Sequence, residues 1–332
     1  MINRITIKKL KLSDLSRFAQ VYIEWYIGPL QSRKSQMMSG NSYNKILDSL
    51  QKSPSNKHIQ SNQIMLTRKL GNGASSIVYV GTLAGCHTNT DKVAVKEFKV
   101  DKEEYYENEK SILEKLSEKD NADKYIIKYY GYIDDCMNKS LVIEYMAGSD
   151  LVSYLEKTNH AKPAEQLVLK FAASIARSLD FIHGYDIIHC DVKCDNILIT
   201  KNNEVKLCDF GFAKTKEEIK VGLHLRGTPE FVAPELFDSE ENQTPYSEKS
   251  DMYAYAFVLY EFGTARRPYP KNLSDGAILL LAWENQRPSI TPDICPANIA
   301  SLIKPCWEQS PKDRPYASEV INKIEAMQCK IT

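Results

Sequence analysis

The chain reads as an α+β protein in which a strand-rich part precedes a mainly helical one. Three observations predict this. Between residues 64 and 146, short alternating apolar segments recur around a single amphipathic helix. From residue 147 onward the apolar positions fall mainly at helical spacing. A length of 332 residues suggests two domains and leaves ample chain for a core. Hydrophobic residues make up 43% and charged residues 26%, ordinary values for a globular protein.

The formal net charge is zero, so no global electrostatic argument points to nucleic acid or to a membrane. The charge is uneven, however. Residues 1–62 hold ten Lys/Arg and three Asp/Glu, about +7, and the remainder is about −7. Such a basic segment suits an acidic partner or a lipid surface, although basic runs are more often simply solvated. No apolar run reaches about 18 residues, so no membrane span is expected. The first ten residues, Met1–Leu10, lack the apolar core of a signal peptide. Eight cysteines are scattered without C-x-x-C pairs or histidines at zinc spacing, which reads as reduced thiols. A soluble, cytoplasmic protein is the expectation.

In chain order, residues 1–63 form a basic extension. Ser13-Asp14 would cap a helix carrying Leu15, Phe18, Val21, Tyr22 and Trp25, which Gly28-Pro29 ends. Gln31 to Ser42 reads as a linker, Ser42 to Leu50 as a short helix and Gln51 to Gln63 as a loop. The pattern changes at Ile64. Met65–Leu70 and Ser76–Val80 read as strands around Gly71-Asn72-Gly73-Ala74-Ser75. Val93–Lys96 is an alternating strand with a lysine at its end. Glu103–Leu116 is a helix whose apolar face holds Ile112, Leu113 and Leu116. Tyr125–Tyr132 and Ser140–Tyr145 read as strands. Asp150 would cap a helix over Leu151–Lys157. Pro163–His183 reads as a long amphipathic helix with Pro163 in its first turn and Leu167, Phe171, Ile175, Leu179 and Ile182 as a buried stripe. Ile197–Thr200 and Val205–Cys208 alternate about the turn signal Asn202-Asn203, as a hairpin would. Ser250 to Phe262 is apolar almost all round and should be a buried helix. Residues 329–332 are a tail.

The chemistry concentrates in Ile187 to Gly211. Asp191 and Asn196 stand five apart, and Asp209 follows thirteen later. The hairpin between them would bring Asn196 and Asp209 towards one edge. Two oxygen ligands there suit a magnesium ion, which takes few protein oxygens and keeps the rest of its shell for phosphate and water. Asp191 then remains as a base able to accept a hydroxyl proton. Upstream, Gly71 and Gly73 would let the backbone approach phosphates closely.

Together and in this order, these segments resemble the motifs of protein kinases. His189-Cys190-Asp191 through Asn196 is similar to H-R-D-x-x-x-x-N, Asp209-Phe210-Gly211 to D-F-G, and Val93-Ala94-Val95-Lys96 to V-A-I-K. Gly71 to Val78 is similar to the glycine-rich loop, with Ser76 where the third glycine usually stands. Gly227-Thr228-Pro229-Glu230-Phe231-Val232-Ala233-Pro234-Glu235 resembles G-T-x-x-[YF]-x-A-P-E of serine/threonine kinases. Arg287-Pro288, Cys306-Trp307 and Arg314-Pro315 resemble the C-terminal pattern of tyrosine-kinase-like and tyrosine kinases. The resemblance implies a bilobal protein kinase fold: a β-rich lobe with one main helix over 64–146 and a mainly helical lobe over 147–328.

The resemblance also implies roles. ATP would lie between the lobes, its adenine sandwiched by Val78 and Ala94 above and Leu198 below, and bound by the backbone around Glu144 and Met146. Ile143 would guard the back of this pocket. Asp150 would reach a ribose hydroxyl or act as a helix cap. Lys96 would hold the α/β-phosphates and pair with Glu109, with Glu107 as the alternative partner. Asn196 and Asp209 would bind Mg²⁺, Asp191 would orient a Ser or Thr hydroxyl, and Lys193 would sit near the transferred phosphate. His189 would pack on Phe210, Thr228 would bond Asp191 and Lys193, Glu235 would pair with Arg314, and Asp251 would hold the catalytic-loop backbone. Phe212–Arg226 would be the activation loop, with Thr215 its only hydroxyl. Cys190 stands where the family has an arginine that commonly pairs with a phosphorylated loop, so that form of switching is not expected here. The partners implied are protein substrates, and a docking partner for the N-terminal segment. The alternatives are a pseudokinase scaffold, a dual-specificity kinase, and a kinase with a small-molecule or lipid acceptor.

Overall fold

A computed structural model describes residues 57–84, 92–135, 138–219, 227–237 and 246–329. The helices expected within residues 1–50 and the linker between them lie outside the described residues. Five strands form one antiparallel sheet: β1 (Ile64–Asn72), β2 (Ser76–Leu83), β3 (Lys92–Phe98), β4 (Tyr129–Asp134) and β5 (Lys139–Glu144), in the order β1-β2-β3-β5-β4. The period of two in β3 divides its side chains between the faces of the sheet. Val93 and Val95 join Val142 and Ile133 in a small apolar cluster, closed by Ile59 and Ile64. Ala94 and Lys96 belong to the opposite face. Helix α1 (Glu103–Ser117) buries Tyr106, Ile112, Leu113 and Leu116.

Two segments differ from the sequence expectation. The strand expected over Tyr125–Tyr132 begins only at Tyr129. Residues Ala122–Tyr125 form instead a helical turn, α2, closed by Ile126 N–H on Ala122 O. Tertiary contacts prevail over the β propensity of Tyr125: its ring stacks on Phe181 at 5.0 Å, and Ser178 Oγ donates to its carbonyl. The loop expected over Gln51–Gln63 is in part a short strap. His58 bridges Tyr132 in parallel at the outer edge of β4. Ile59 N–H donates to Tyr132 O, and Tyr132 N–H to Lys57 O, at 2.8 and 3.0 Å.

The rest is mainly helical: α3 (Leu151–Lys157), α4 (Glu165–His183), α5 (Lys216–Ile219), α6 (Glu248–Thr264), α7 (Asp275–Trp283), α8 (Ala297–Cys306) and α9 (Ala317–Gln328). Helix α4 starts after Pro163, not around it. Ala164 is its extended N-cap, so Pro163 precedes the first turn. Helix α6 is buried on almost every side, as its apolar circumference requires. Small ribbons carry the intervening loops. Strand β6 (Ile187–Ile188) pairs with β9 (Lys214–Thr215), and β7 (Ile197–Ile199) with β8 (Val205–Leu207) as the expected hairpin. Among the described residues, no helix is long and apolar enough to cross a membrane.

Candidate active site

Lys96 stands in the inner row of β3, between Ala94 and Phe98, and is only 6% exposed. A buried ammonium needs partners, and it has two. Its Nζ lies 2.6 Å from Glu109 Oε2 on α1 and 2.9 Å from Asp209 Oδ1. Burial alone would lower the lysine's pKa, but Asp209 and then Glu109 outweigh it, so Lys96 stays a cation. Burial pushes the Glu109 carboxyl up against the pull of Lys96. Burial would also raise Asp209, yet Lys96 wins there and holds it down to about 2. One positive charge thus serves two carboxylates, and the more enclosed of the two carries the desolvation. Glu107, the other candidate partner, faces away and pairs with Lys139 at 3.3 Å.

A second cluster surrounds Asp191, which is 5% exposed. Lys193 Nζ lies 2.7 Å from its Oδ2 and 3.2 Å from Thr228 Oγ1, and the Thr228 hydroxyl lies 3.4 Å from Asp191 Oδ1. Burial would lower the Lys193 pKa, but Asp191 together with Asp195 and Asp209 outweighs it and raises the pKa, so this ammonium is also held protonated. Asn196 Nδ2 donates to Asp191 O at 2.8 Å and to its Oδ2 at 3.1 Å. The amide hydrogens are therefore taken, and Asn196 Oδ1 is the atom left to meet a cation.

The loop that carries Asp191 is fixed from below by Asp251, near the start of α6. Its Oδ2 accepts from His189 N–H at 2.8 Å and its Oδ1 from Cys190 N–H at 3.0 Å, while His183 Nε2 lies 2.9 Å from Oδ2. His189 is fully buried. Its ring lies 5.0 Å from that of Phe210, and its Nε2 is 3.1 Å from Cys208 O. Cys190 takes a left-handed φ of 64°, and its Sγ points to Ile188 O at 3.6 Å. Burial pushes the Cys208 thiol up, so it stays protonated next to Asp209.

Further out, Arg314 is 1% exposed and satisfies its whole donor fork. Both terminal nitrogens lie 2.7 Å from Glu235, and the remaining N–H groups reach the carbonyls of Lys249, Glu308 and Gln309. Of the expected cleft residues, Val78 pairs in register with Lys96, Ala94 with Ile143, and Leu198 bridges Asp150. Leu198, Ile143 and Met146 are partly buried against the core. The Glu144 side chain is tied to Lys206 at 2.6 Å. Asp150 caps α3, its oxygens accepting from Ser153 N–H and Oγ at 2.7 Å each. Gly71 and Gly73 flank the β1–β2 turn, where an added Cβ at Gly71 would meet nothing within 4 Å. That open surround suits the approach of a ligand. Thr215 Oγ1 donates to Glu218 at 2.9 Å, at the head of α5; residues 220–226 lie outside the described ones.

Among the described residues, no group of three or more His, Cys, Asp and Glu converges to hold a metal alone. The donors at hand are the Asp209 carboxylate and the Asn196 amide oxygen. This sparse oxygen set fits Mg²⁺, which leaves most of its shell to phosphates and water. Sequence reasoning missed Asn108. It is a modest helix former among the stronger Glu and Lys of α1, and its amide contacts the carbonyls that follow Asp209. Its low propensity beside Glu109 was the available signal.

The family model described as protein kinase domain matches residues 64–324. A probable serine/threonine-protein kinase of Dictyostelium discoideum is 30% identical over 80% of this chain and 28% of its own length. The serine/threonine/tyrosine-protein kinase HT1 of Arabidopsis thaliana is 27% identical over 79% of this chain and 66% of its own. The dual specificity protein kinase pyk3 of Dictyostelium discoideum is 27% identical over 94% of this chain and 22% of its own. The chain thus spans less than two thirds of the length of these relatives.

Proposed function

Because the chain belongs to the protein kinase family, we propose that its cleft transfers the γ-phosphate of ATP to serine or threonine hydroxyls of proteins. The observation that carries this reading is the meeting of two charge clusters. Lys96 is clamped by Glu109 and Asp209, and Asp191 by Lys193, Thr228 and Asn196. In this reading Lys96 draws the α/β-phosphates towards the sheet, and Glu109 holds its ammonium in place. Asp191 accepts the hydrogen bond of the incoming hydroxyl and orients its lone pair for in-line attack. Lys193 neutralises charge that develops on the transferred group, and Thr228 fixes both side chains. Asn196 and Asp209 would hold Mg²⁺, which supplies charge neutralisation between the phosphates. The protein's contribution is positioning and electrostatic stabilisation, so removing one of these groups should cost orders of magnitude in rate.

Lys193 and Gly227-Thr228 support serine or threonine as acceptor. The names of relatives include serine/threonine/tyrosine and dual-specificity kinases, which favour tyrosine as the second acceptor to test. The basic N-terminal extension is proposed to recruit an acidic partner; its deletion should alter location or substrate choice but not turnover. The test of the main reading is transfer from labelled ATP with Mg²⁺ to a mixed peptide library, beside Asp191→Asn. Transfer that disappears in the variant supports the assignment, and phosphoamino-acid analysis reads the acceptor. ATP binding without transfer would favour a scaffold with the same fold.

A further inference from the structure

Asn108 lies on the face of α1 that meets the segment after Asp209. Tyr105, Asn108 and Glu109 share this face, three and four residues apart. Asn108 Nδ2 lies 3.2 Å from Phe210 O, 3.1 Å from Gly211 O and 2.9 Å from Ala213 O. Two amide hydrogens are thus presented to three carbonyls. Its Oδ1 accepts from Lys214 Nζ at 2.7 Å. Lys214 belongs to β9 and pairs with Ile188 of β6, immediately before His189. The network therefore runs from α1, through the D-F-G segment, to the strand that leads into the loop of Asp191.

Neighbouring contacts share this seam. The Tyr105 and Phe212 rings meet edge to face at 5.4 Å. A Cβ on Gly211 would stand 3.3 Å from Asp209 Oδ1, 3.6 Å from Glu109 Oε2 and 3.7 Å from Tyr105. The helix and the segment are thus in close contact where Asn108 stitches them. Besides the stitch, the polar hold on α1 at this seam is the Glu109 carboxylate, which takes the Lys96 ammonium and a backbone hydrogen bond from Phe210, and whose burial offsets much of that attraction.

We propose that Asn108 is a positioning residue, a latch that holds α1 against the D-F-G segment and so keeps Glu109 on Lys96. This role rests on the kinase reading of the cleft. It needs a side chain that donates to carbonyls and accepts from a lysine at once. An amide does both. A carboxylate keeps Lys214 but repels the three carbonyls, and a methyl group does neither.

The test compares Asn108→Asp, Asn108→Ala and Lys214→Met with wild type and Asp191→Asn. It reads kcat, KM for peptide, hydrogen exchange of amides 209–214 and the unfolding midpoint. Asn108→Asp should lose most turnover, Asn108→Ala about 10- to 100-fold, the scale of one or two hydrogen bonds, and Lys214→Met the least. Peptide KM should hold within about twofold, since the latch touches no substrate. Exchange at 210–214 should quicken in both Asn108 variants while the core of the sheet keeps its protection. Wild-type exchange at 210–214 in Asn108→Asp would overturn the latch, as would equal losses in all three variants that track the unfolding midpoint. A wild type without transfer would count against the kinase reading instead, and the exchange data would still decide the latch.

Discussion

At Asp209 a single charge has consequences that a pH scale can reveal. Its carboxyl is held down to about 2 because the attraction of Lys96 outweighs burial. A carboxyl lowered on folding adds stability where it is ionised in both states. That contribution is full above about pH 4 and is lost as the pH falls through the folded pKa. Because the Asp209 side chain is 40% exposed, solvent screens part of the effect. Urea midpoints of wild type and Asp209→Asn should therefore differ at neutral pH and converge as the pH approaches about 2. A difference independent of pH would show that the Lys96 contact adds nothing through charge. Cys190 makes the opposite point. A thiol is a weak donor and carries no fixed positive charge, so it cannot fork onto a phosphate as a guanidinium does. Its backbone is nonetheless held by Asp251 in the geometry the loop needs.

At the scale of elements, the strap over residues 57–60 covers one edge of the sheet. Edge strands present unpaired backbone groups, and covering them removes a template for unwanted pairing. The strap also places Ile59 over the cluster of Val93, Val95, Ile133 and Val142, and Lys57 bonds Ser117 Oγ at the end of α1. Gly131 makes this close approach possible, since a Cβ there would stand 2.1 Å from Lys57 O. Gly131→Val should lift the strap and also strain β4, because φ at Gly131 is 157°. Limited proteolysis would show faster cleavage near residues 57–60, and exchange would quicken at Ile59 and Tyr132. Unchanged protection at both amides would mean that the pairing is not what holds the strap. Much of the sheet was legible because β3 and β5 carry short apolar runs rich in Val, Leu and Ile. The strap was not, because residues 57–60 carry no strand pattern and acquire one only from the edge they lie on.

For the whole molecule, the cleft joins residues from the sheet, α1 and the loops of the helical part. Lys96 and Asp209 are 113 residues apart in sequence, and their contact exists only when both parts are folded. A ligand that bridges them should stabilise the assembly by mass action, about 2.7 kcal/mol at roughly 100 times its Kd. We expect ATP with Mg²⁺ to raise the unfolding midpoint, and a chelator to remove most of that rise. Asp209→Asn should make the midpoint insensitive to Mg²⁺. A rise in the variant equal to that of wild type would move the metal ligand elsewhere.

What the amino-acid sequence determined by itself was the type of each element with a long, consistent period: α4 with its buried stripe, α6 with its apolar circumference, and the β7–β8 hairpin about Asn202-Asn203. It also determined the order of the ionisable groups from Lys96 to Asp209. Only the tertiary structure decided which groups meet. Glu107 and Glu109 carry the same side chain and share one helix, but two residues turn a helix by more than half a circle, so the seating of α1 on the sheet aims Glu109 at Lys96 and Glu107 at Lys139. Tyr125 reads as a strand residue until Phe181, 56 positions on, draws it into a helical turn. Asn108 looks like a solvated helix residue until the carbonyls of Phe210, Gly211 and Ala213 arrive beside it. In each case a local period sets the face on which a side chain stands, and a partner distant in the chain sets what that face touches.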